Sequence, residues 1–499
     1  MKPERSVMSC GYQMPTLMLL PLNYPAPSGF RALLSPSLSA LASILLSIAP
    51  VALMILATSA TATAATAPTP PNRPNIILCM TDDQGWGDVS YNGLKKIQTP
   101  NLDSVAAAGL RFDRFYAAHP SCSPTRASVM TGRHPYRMKC DWPGVKLCRQ
   151  EFTIAQAVKT VGYRTGHFGK WHLNGVAGPG KIILDSDPCS PRHFGFDESF
   201  SVSNYFETDW TFGHNGVAEK TTGDGSDVIV DRALKFITSA ATDNKPFLAV
   251  VWFGSPHVPL KPTPEDLKAA GGSPYYGEIL GVDRSMGTLR AGLRQLAIAD
   301  NTLLIFCSDN GAWMDESKAP DEFGTNGVLR GHKGQLREGG IRVPALIEWP
   351  AKIKKPSVTC VPAVTSDIYP TVMDILKIDL PNQIKPLDGI SLVPLFDGKM
   401  PRRPTPIGFW HHGEVTLENG PAAWNDNQYK LYRSAPNQYE LYDLTNDLSE
   451  TTDLASKLPE VVTRMSTELD AWLQSVRQSR AGQDYPEKLV IEPSPPQAK

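Results

Sequence analysis

Four clusters of polar residues contain side chains whose types and spacing could do chemistry. Each follows a short apolar run: residues 75–80, 162–166, 246–253 and 302–307 lead into polar residues 81–85, 167–172, 254–257 and 308–311. Short continuous apolar runs are typical of strands buried on both faces of a parallel sheet, and such sheets bind ligands beyond the carboxyl ends of their strands. We therefore expect the four clusters to meet at one edge of a sheet.

Two of the clusters carry hard oxygen donors, with Asp82 and Asp83 after the first run and Asp309 and Asn310 after the last. Carboxylate and amide oxygens suit calcium or magnesium better than zinc. The alternative is turn chemistry, since Asp and Asn also favour turns at strand ends. The sequence has no Cys-x-x-Cys pair and no His-Glu-x-x-His motif, so a zinc ribbon, a thioredoxin-like site and a zinc hydrolase find no support.

A further reactive residue, Cys122, lies in the run Ser-Cys-Ser-Pro-Thr-Arg at positions 121–126. Ser123 is a good N-cap and Pro124 suits a first helical position, which predicts a helix up to Gly132 with Cys122 just before it. The N-terminal end of a helix dipole favours an anion. An ordinary buried cysteine before a helix is the alternative.

The spacing Cys-x-Pro-x-Arg resembles the signature of the type I sulfatases, the formylglycine-dependent, arylsulfatase-like members of the alkaline phosphatase superfamily. The resemblance implies that a formylglycine-generating enzyme converts Cys122 to formylglycine during maturation. It implies one calcium ion per chain, held by Asp82, Asp83, Cys122, Asp309 and Asn310. The catalytic positions that it implies are Cys122, Arg126, Lys170, His172, His257, Asp309 and Lys333.

The resemblance also implies a role for each catalytic side chain. The hydrated aldehyde at position 122 attacks sulfur, and Asp309 takes a proton from it. His257, helped by Lys333, protonates the leaving alcohol. His172 assists the later release of sulfate, and Arg126 orients the nucleophile and the carboxylates. Three cations around a tetrahedral anion, Arg126, Lys170 and Lys333, suit a sulfate ester through charge-assisted hydrogen bonds.

The elements that position these residues alternate as strand and helix, which predicts an α/β fold. Helices are expected from Thr99–Pro100 to Gly109, from a Thr153–Gln156 capping box to Gly162, and over 276–297. Beyond residue 401, short strands at 407–410, 429–432 and 439–442 precede a helix over 458–476. The resemblance implies an alkaline-phosphatase-like sandwich, with a large mixed, mostly parallel sheet flanked by helices and a small C-terminal antiparallel-sheet domain.

The domain boundaries follow from changes in composition along the 499 residues. Residues 38–56 are almost wholly apolar and run into small residues with Ala-x-Ala cleavage options, which indicates a signal peptide and an exported protein, periplasmic, extracellular or lysosome-like. An uncleaved leader that anchors the chain in a membrane is the alternative. We predict a leader over 1–67, a proline-rich tether over 68–74, a catalytic domain over 75–400, a small α+β domain over 401–481 and a disordered tail over 482–499.

The formal net charge of −1 argues against a nucleic-acid partner and leaves any anionic substrate to a local basic pocket. Export permits a disulfide, for which Cys140 with Cys148 is the predicted pair, while Cys79 and Cys307 lie in apolar runs and are expected to be buried. Weaker candidates for substrate contact, with ordinary surface polarity as the alternative, are Asp209, Trp210, His214, Trp313, His411 and His412.

The resemblance thus implies a sulfuric ester hydrolase that releases inorganic sulfate from sulfated carbohydrate or aryl sulfate esters. Two alternatives stay open. One is a phosphonate or phosphodiester hydrolase of the same superfamily, and the other is an exported carbohydrate-binding protein in which Cys122 is never oxidised.

Overall fold

A computed structural model describes residues 73–314, 323–381, 383–411 and 419–487. The predicted leader and most of the tether lie outside the described residues. Within the predicted tail, Tyr485 is buried and its hydroxyl donates to Glu151, so packing continues past residue 482. No helix in the described ranges combines the length and the apolar character needed to cross a membrane.

A large mixed sheet runs through the catalytic part of the chain. Its strands are β1 (Asn75–Thr81), β2 (Leu110–Tyr116), β3 (Arg164–Lys170), β4 (Glu198–Val202), β5 (Thr211–His214), β6 (Val217–Lys220), β7 (Phe247–Trp252), β8 (Thr302–Ser308), β9 (Arg342–Glu348), β10 (Ser357–Thr359) and β11 (Ala363–Val364). The strand order is β10-β2-β9-β8-β1-β7-β3-β4-β5-β6, with β11 also paired to β2. The strands β8, β1, β7, β3 and β4 are mutually parallel, so the centre of the sheet has one carboxyl edge.

Helices cover both faces of this sheet. They are α1 (Pro100–Ala108), α2 (Cys122–Thr131), α3 (Ile154–Lys159), α4 (Gly225–Thr242), α5 (Pro264–Ala269), α6 (Pro274–Gln295), α7 (Glu338–Ile341), α8 (Ile368–Leu376), α9 (Val393–Phe396) and α10 (Pro459–Arg480). Side chains alternate across a strand, so β1 sends Ile76, Leu78 and Met80 into one core with α2, α3 and α8. Ile77 and Cys79 enter the opposite core with α1, α4 and α6. The predicted α/β sandwich is confirmed.

A second sheet consists of β12 (Ile407–Trp410), β13 (Ala422–Asp426), β14 (Tyr429–Ala435) and β15 (Gln438–Asp443), all antiparallel neighbours in that order. The apolar face of α10 packs on it, with Met465, Leu469 and Leu473 in one cluster with Trp410 and Leu431. The small antiparallel sheet and its helix are confirmed, whereas β13 was not predicted. The domain boundary at residue 400 stays a prediction.

Several helix ends predicted from local sequence signals agree with the structure. Thr153 accepts from the backbone of Gln156 and the Gln156 side chain accepts from the backbone of Thr153, as the capping-box pattern predicted. The helix α6 (Pro274–Gln295) and the end of α2 at Gly132 also agree, and Gly132 takes the left-handed conformation with φ of 73° that a C-cap glycine favours.

Three predictions need correction. The strand β3 (Arg164–Lys170) continues through residues that we expected in the following loop, because the polar side chains of His167 and Lys170 are buried by neighbouring elements. Cys122 is the first residue of α2, with Ser121 at the N-cap, so the helix starts earlier than Ser123. The Cys140–Cys148 disulfide is wrong: Cys140 Sγ lies 3.8 Å from the carbonyl oxygen of Ser123, while Cys148 Sγ lies 2.8 Å from Gln150 Oε1.

Candidate active site

The carboxyl ends of β8, β1, β7 and β3 lie side by side, and the four polar clusters follow them. In the β1–β8 pair Thr81 is opposite Ser308, so the next residues, Asp82 and Asp309, are neighbours. The backbone N–H of Asp309 donates to the Thr81 carbonyl at 3.1 Å, and that of Asp82 donates to the Ser255 carbonyl at 3.1 Å. The prediction that the clusters meet at one sheet edge is therefore confirmed.

A buried acidic centre forms at this edge. One ligand atom from each of Asp82, Asp83, Cys122 and Asp309 can be chosen so that all lie within 4.8 Å of one another. Cys122 Sγ lies 3.4 Å from Asp82 Oδ1, and the Asp83 N–H donates to Asp309 Oδ1 at 3.1 Å. Since the cysteine comes from the first turn of α2, the helix N-terminus points into the carboxylate cluster.

The donor set fits a hard cation. Asn310 Nδ2 donates to Asp83 Oδ1 at 2.8 Å, while Asn310 Oδ1 is buried without a hydrogen-bond partner among the described residues. A buried amide oxygen without a hydrogen bond destabilises the fold unless a cation or a water molecule binds it. Three carboxylates and one amide oxygen are the ligand type of calcium and magnesium. The chain thus carries a site suited to a divalent cation.

The two central carboxyl groups differ in acidity. Burial, and then repulsion from Asp82, raises the pKa of Asp309 to about 7. Burial alone would also raise the pKa of Asp82, but Lys170, His257 and Arg126 hold that pKa well below its usual range. Carboxylates so close to one another need positive charge nearby, and the site supplies it.

Three cationic side chains balance the carboxylates. Lys170 Nζ lies 2.6 Å from Asp82 Oδ2, and Lys333 Nζ lies 2.7 Å from Asp83 Oδ1. Burial alone would lower the pKa of Lys333, but Asp83 raises it above its ordinary value, so the ammonium group stays charged. The cluster therefore combines cation ligands with positive groups that can meet an anionic substrate.

The third cation, Arg126, is fully buried beneath the cluster. Its Nε and one terminal nitrogen lie 3.2 and 2.7 Å from Asp309 Oδ2, and its other terminal nitrogen donates to the Lys170 carbonyl at 3.1 Å. The guanidinium carbon lies 5.1 Å from the ring centroid of Trp252, within cation–π range. Arg126 thus joins α2, β3, β7 and the loop after β8.

Two histidines border the centre. His257 Nδ1 lies 2.5 Å from the Val258 carbonyl oxygen, which places a proton on Nδ1 and directs Nε2 toward Asp83 Oδ2 at 3.8 Å. His172 is buried, and its Nδ1 has no hydrogen-bond partner within the described ranges. Burial lowers the pKa of both imidazoles, that of His172 well below its usual value. Asp83 and His172 also hold left-handed backbone conformations, with φ of 68° and 55°, a strain that is common at functional sites.

Burial also raises the pKa of the Cys122 thiol, with only partial compensation from Lys170 and Lys333. A thiol with a raised pKa is neutral at ordinary pH and is a weak nucleophile. The unmodified side chain is therefore poorly suited to attack a substrate, even though it sits at the centre of the site.

The loop that carries Lys333 is held by the small sheet. The Lys333 N–H donates to the Ala312 carbonyl at 3.0 Å, and Arg337 lies 3.8 Å above the ring of Tyr432 while pairing with Glu440 at 2.8 Å. Just beyond it, the Glu338 N–H donates to Glu450 Oε2 at 2.8 Å, and Lys430 lies 3.0 Å from both carboxylates. Residues after 430 thus anchor a loop of the candidate site.

The weaker candidates fare differently. His214 pairs with Glu219 and lies 3.7 Å from Glu198, the first residue of β4, so its contacts lie at the β4–β6 edge of the sheet, and a substrate contact stays a prediction. Trp313 follows Ala312 and contacts Phe323 edge-on at 4.8 Å, beside the Lys333 loop. His412 lies outside the described residues. Asp209, Trp210 and His411 stay untested as substrate contacts.

The sequence also missed neighbours that support the site. Tyr205 stacks on the His257 ring, with centroids 5.1 Å apart and planes 14° from parallel. The hydroxyl of Tyr275 lies 3.1 Å from the Asp83 carbonyl oxygen and 2.7 Å from Asp88 Oδ2. Neither contact has a local signal, because each joins loops or helices far apart in the chain.

Comparisons with known proteins agree with this site. Residues 74–378 match the family described as Sulfatase, and residues 332–478 match the family described as N-sulphoglucosamine sulphohydrolase, C-terminal. The chain is 32% identical to arylsulfatase A of Homo sapiens over 369 residues, which cover 66% of this chain and 69% of that protein. It is 30% identical to N-acetylgalactosamine-6-sulfatase of Mus musculus over 367 residues, 69% of each chain.

Among solved structures, Ps i-CgsB in complex with k-i-k-neocarrahexaose superimposes with a TM-score of 0.72 at 29% sequence identity. The match covers 80% of this chain and 92% of that one. This likeness confirms the predicted alkaline-phosphatase-like architecture.

Proposed function

The chain belongs to the sulfatase family, and from that premise we propose that it hydrolyses sulfate esters of carbohydrates or aryl alcohols with a formylglycine made from Cys122 and one calcium ion. The observation that carries the proposal is the buried cluster of Cys122 with Asp82, Asp83 and Asp309 within 4.8 Å, faced by Lys170 and Lys333. A neutral thiol there has no evident use, whereas an oxygen nucleophile beside a cation suits attack on an ester.

Asp82, Asp83, Asp309 and Asn310, together with the modified residue 122, would hold the cation. When bound, a calcium ion supplies Lewis-acid stabilisation and favours the ionised form of a nearby oxygen nucleophile. Asn310 Oδ1, which has no hydrogen-bond partner in the part of the chain that the structure describes, supports this assignment, because a bound cation would give it one. The all-oxygen set favours calcium or magnesium over zinc.

The proposed substrate-binding groups are Lys170 and Lys333. Both ammonium groups now pair with carboxylates that we assign to the cation, Lys170 with Asp82 and Lys333 with Asp83. Once those carboxylates are neutralised, the two lysines can direct their charge to sulfate oxygens through charge-assisted hydrogen bonds. Arg126 stays behind Asp309 and keeps that carboxylate in place, since the guanidinium is buried and already bonded on three nitrogens.

Proton movement is assigned to three groups. A formylglycine hydrate at position 122 would supply an oxygen nucleophile for sulfur, and its return to the aldehyde would provide a route for sulfate release. Asp309, whose carboxylate belongs to the same buried cluster as residue 122, accepts the proton of that oxygen. His257 donates from Nε2 to the leaving alcohol in its doubly protonated form, since Nδ1 already carries a proton toward the Val258 carbonyl; Asp82 and Asp83 favour that form against the effect of burial. His172 takes the second proton when sulfate leaves.

A sulfated carbohydrate is the proposed substrate class. Similarity to an N-acetylgalactosamine-6-sulfatase and to a protein solved with k-i-k-neocarrahexaose supports a sugar, and similarity to arylsulfatase A keeps an aryl ester as the second candidate. The apolar stretch over 38–56 supports export of the protein, where sulfated polysaccharides are encountered. Maturation would require a formylglycine-generating enzyme as a transient partner.

The test has two parts. Peptide mass analysis of active protein should show the aldehyde at position 122, and full activity with an intact thiol would refute the formylglycine assignment. A panel of sulfated oligosaccharides and matched aryl sulfate and aryl phosphate esters should then show release of inorganic sulfate from at least one sulfate ester. Faster hydrolysis of the phosphate than of every sulfate would instead indicate a phosphoester or phosphonate hydrolase.

A further inference from the structure

The loop after β4 places an aromatic ring against the proposed proton donor. Tyr205 and His257 stack with ring centroids 5.1 Å apart and planes 14° from parallel. A histidine ring is free to rotate about its Cβ–Cγ bond over a broad range unless something restrains it. In this structure one edge of the His257 ring is held by the Val258 carbonyl, and one face is held by Tyr205.

The loop that carries Tyr205 is itself firmly attached. The Tyr205 carbonyl accepts from the Gly180 N–H at 2.8 Å, and the next residue, Phe206, is buried in the core beneath. Further along, Glu207 pairs with Lys261 at 2.9 Å, and the Thr208 hydroxyl donates to the Lys261 carbonyl at 2.9 Å. The loops after β4 and after β7 are therefore tied together just beyond the stacked rings.

Glycine at position 254 makes this close approach possible. A Cβ at Gly254 would lie 3.0 Å from ring carbons of Phe206 and 3.0 Å from its carbonyl oxygen. Contacts this short are tighter than nine in ten real Cβ contacts, so a side chain here would require Phe206 to shift by a few tenths of an ångström, and the two loops pack close to the limit that glycine allows.

We propose that Tyr205 is a positioning residue for the leaving-group proton donor, fixing the plane of the His257 ring so that Nε2 points into the site. The proposal rests on the proposed function, in which His257 protonates the leaving alcohol. The aromatic ring of Tyr205, and not its hydroxyl, positions the His257 ring. Misplacement of a catalytic group by about 1 Å can lower a rate about a hundredfold, so an unsupported ring should act poorly.

The test compares Tyr205→Leu, Tyr205→Phe, His257→Ala and the double variant Tyr205→Leu/His257→Ala. Two substrates are used: nitrophenyl sulfate, whose leaving group needs little protonation, and the unactivated sugar sulfate that the wild-type protein cleaves fastest. Tyr205→Leu should lower kcat on the sugar sulfate by about ten- to a hundredfold, with a much smaller loss on nitrophenyl sulfate and little change in KM. Tyr205→Phe should keep near-normal rates on both, because it retains the ring.

Two further comparisons separate positioning from a general effect on the loop. Adding Tyr205→Leu to His257→Ala should cause little further loss, since the ring to be positioned is already gone. Thr208→Ala loosens the same pair of loops without removing the stacked ring, and it should not reproduce the leaving-group dependence. A crystal structure of Tyr205→Leu should show the His257 ring turned or poorly ordered.

Different outcomes overturn different statements. Equal losses on the two substrates for His257→Ala would show that His257 is not the proton donor, and the proposal would fall with that assignment. A leaving-group-dependent loss for His257→Ala, combined with an equal loss on both substrates for Tyr205→Leu, would overturn the positioning role alone. Failure of Tyr205→Phe to restore activity, or a full additional loss in the double variant, would do the same.

Discussion

Replacement of the buried guanidinium of Arg126 should strongly destabilise the folded protein. The arginine is the main positive partner of Asp309, and both side chains are completely inaccessible to solvent. Arg126→Ala would leave the Asp309 carboxylate next to Asp82 without its neutralising charge. It would also remove the donor to the Lys170 carbonyl at the end of β3.

The expected loss can be bounded from these contacts. Breaking a buried ion pair by removing one partner costs about 3 to 5 kcal/mol, because the remaining charge stays buried. Exposed pairs contribute about 0 to 1 kcal/mol. Lys159→Ala is a matched control, since Lys159 contacts Asp197 at 2.5 Å but the side chains are 42% and 41% exposed. We therefore expect at least a threefold larger loss of unfolding free energy for Arg126→Ala than for Lys159→Ala.

Urea unfolding followed by tryptophan fluorescence measures this difference. Both substitutions should be made in a Cys122→Ala background, so that incomplete maturation of position 122 does not differ between samples, and both should be compared with and without calcium. A bound cation compensates Asp309 in part, so calcium should reduce the loss for Arg126→Ala and leave Lys159→Ala unchanged. A loss below about 1 kcal/mol for Arg126→Ala in chelator would refute the reasoning, because a buried pair would then behave like an exposed one.

Three other predictions follow from the site and its surroundings. Exhaustive chelation should abolish sulfate release, calcium should restore it better than zinc, and Asp83→Ala should resemble the metal-free protein; full activity in protein shown by elemental analysis to lack metal would contradict this. Burial raises the pKa of Glu278 from 4.5 to about 7, so the protonated side chain stabilises the fold fully below pH 4.5 and this stability is lost as the pH rises toward 7. Between these pH values Glu278→Gln should therefore gain stability relative to wild type, by on the order of 3 kcal/mol. A pH-independent difference between the two proteins in urea titrations would be the contrary result. Arg337→Ala should lower kcat/KM about tenfold by loosening the Lys333 loop, whereas Arg464→Ala, which removes an exposed pair with Glu468, should leave it unchanged in the same sulfate-release assay.

The sequence predicted the centre of the site well because strand ends are local features. An uninterrupted apolar run such as 302–307 marks a buried strand, and the residue types that follow it are read directly. Once β1 and β8 are parallel neighbours, Asp82 and Asp309 must come together without further information. The residues at the centre of the cluster are therefore those that the sequence identified.

Contacts between loops were not predictable in the same way. Tyr205 and His257 belong to loops after different strands, and their stacking depends on how Phe206 packs against Gly254. The end of β3 was predicted too early because its last residues are polar. His167 and Lys170 look like loop residues in the sequence, but in the structure they are buried in the strand and hydrogen-bonded to Ser201 and Asp82. The strand β13 was missed because the short sequence Ala422–Asp426 carries no clear alternation.

The anchorage of the Lys333 loop has a consequence for the order in which the active site can be assembled during synthesis. The sheet edge with its carboxylates, α2 and the two histidines is encoded before residue 311, and the Lys333 loop follows soon after. The contact between Arg337 and Glu440 that anchors this loop forms later, because Glu440 lies 103 residues beyond Arg337. A growing chain can therefore fold the central strands and pair Lys333 with Asp83 while still lacking the support that β14 and β15 give to the Lys333 loop once they have been made.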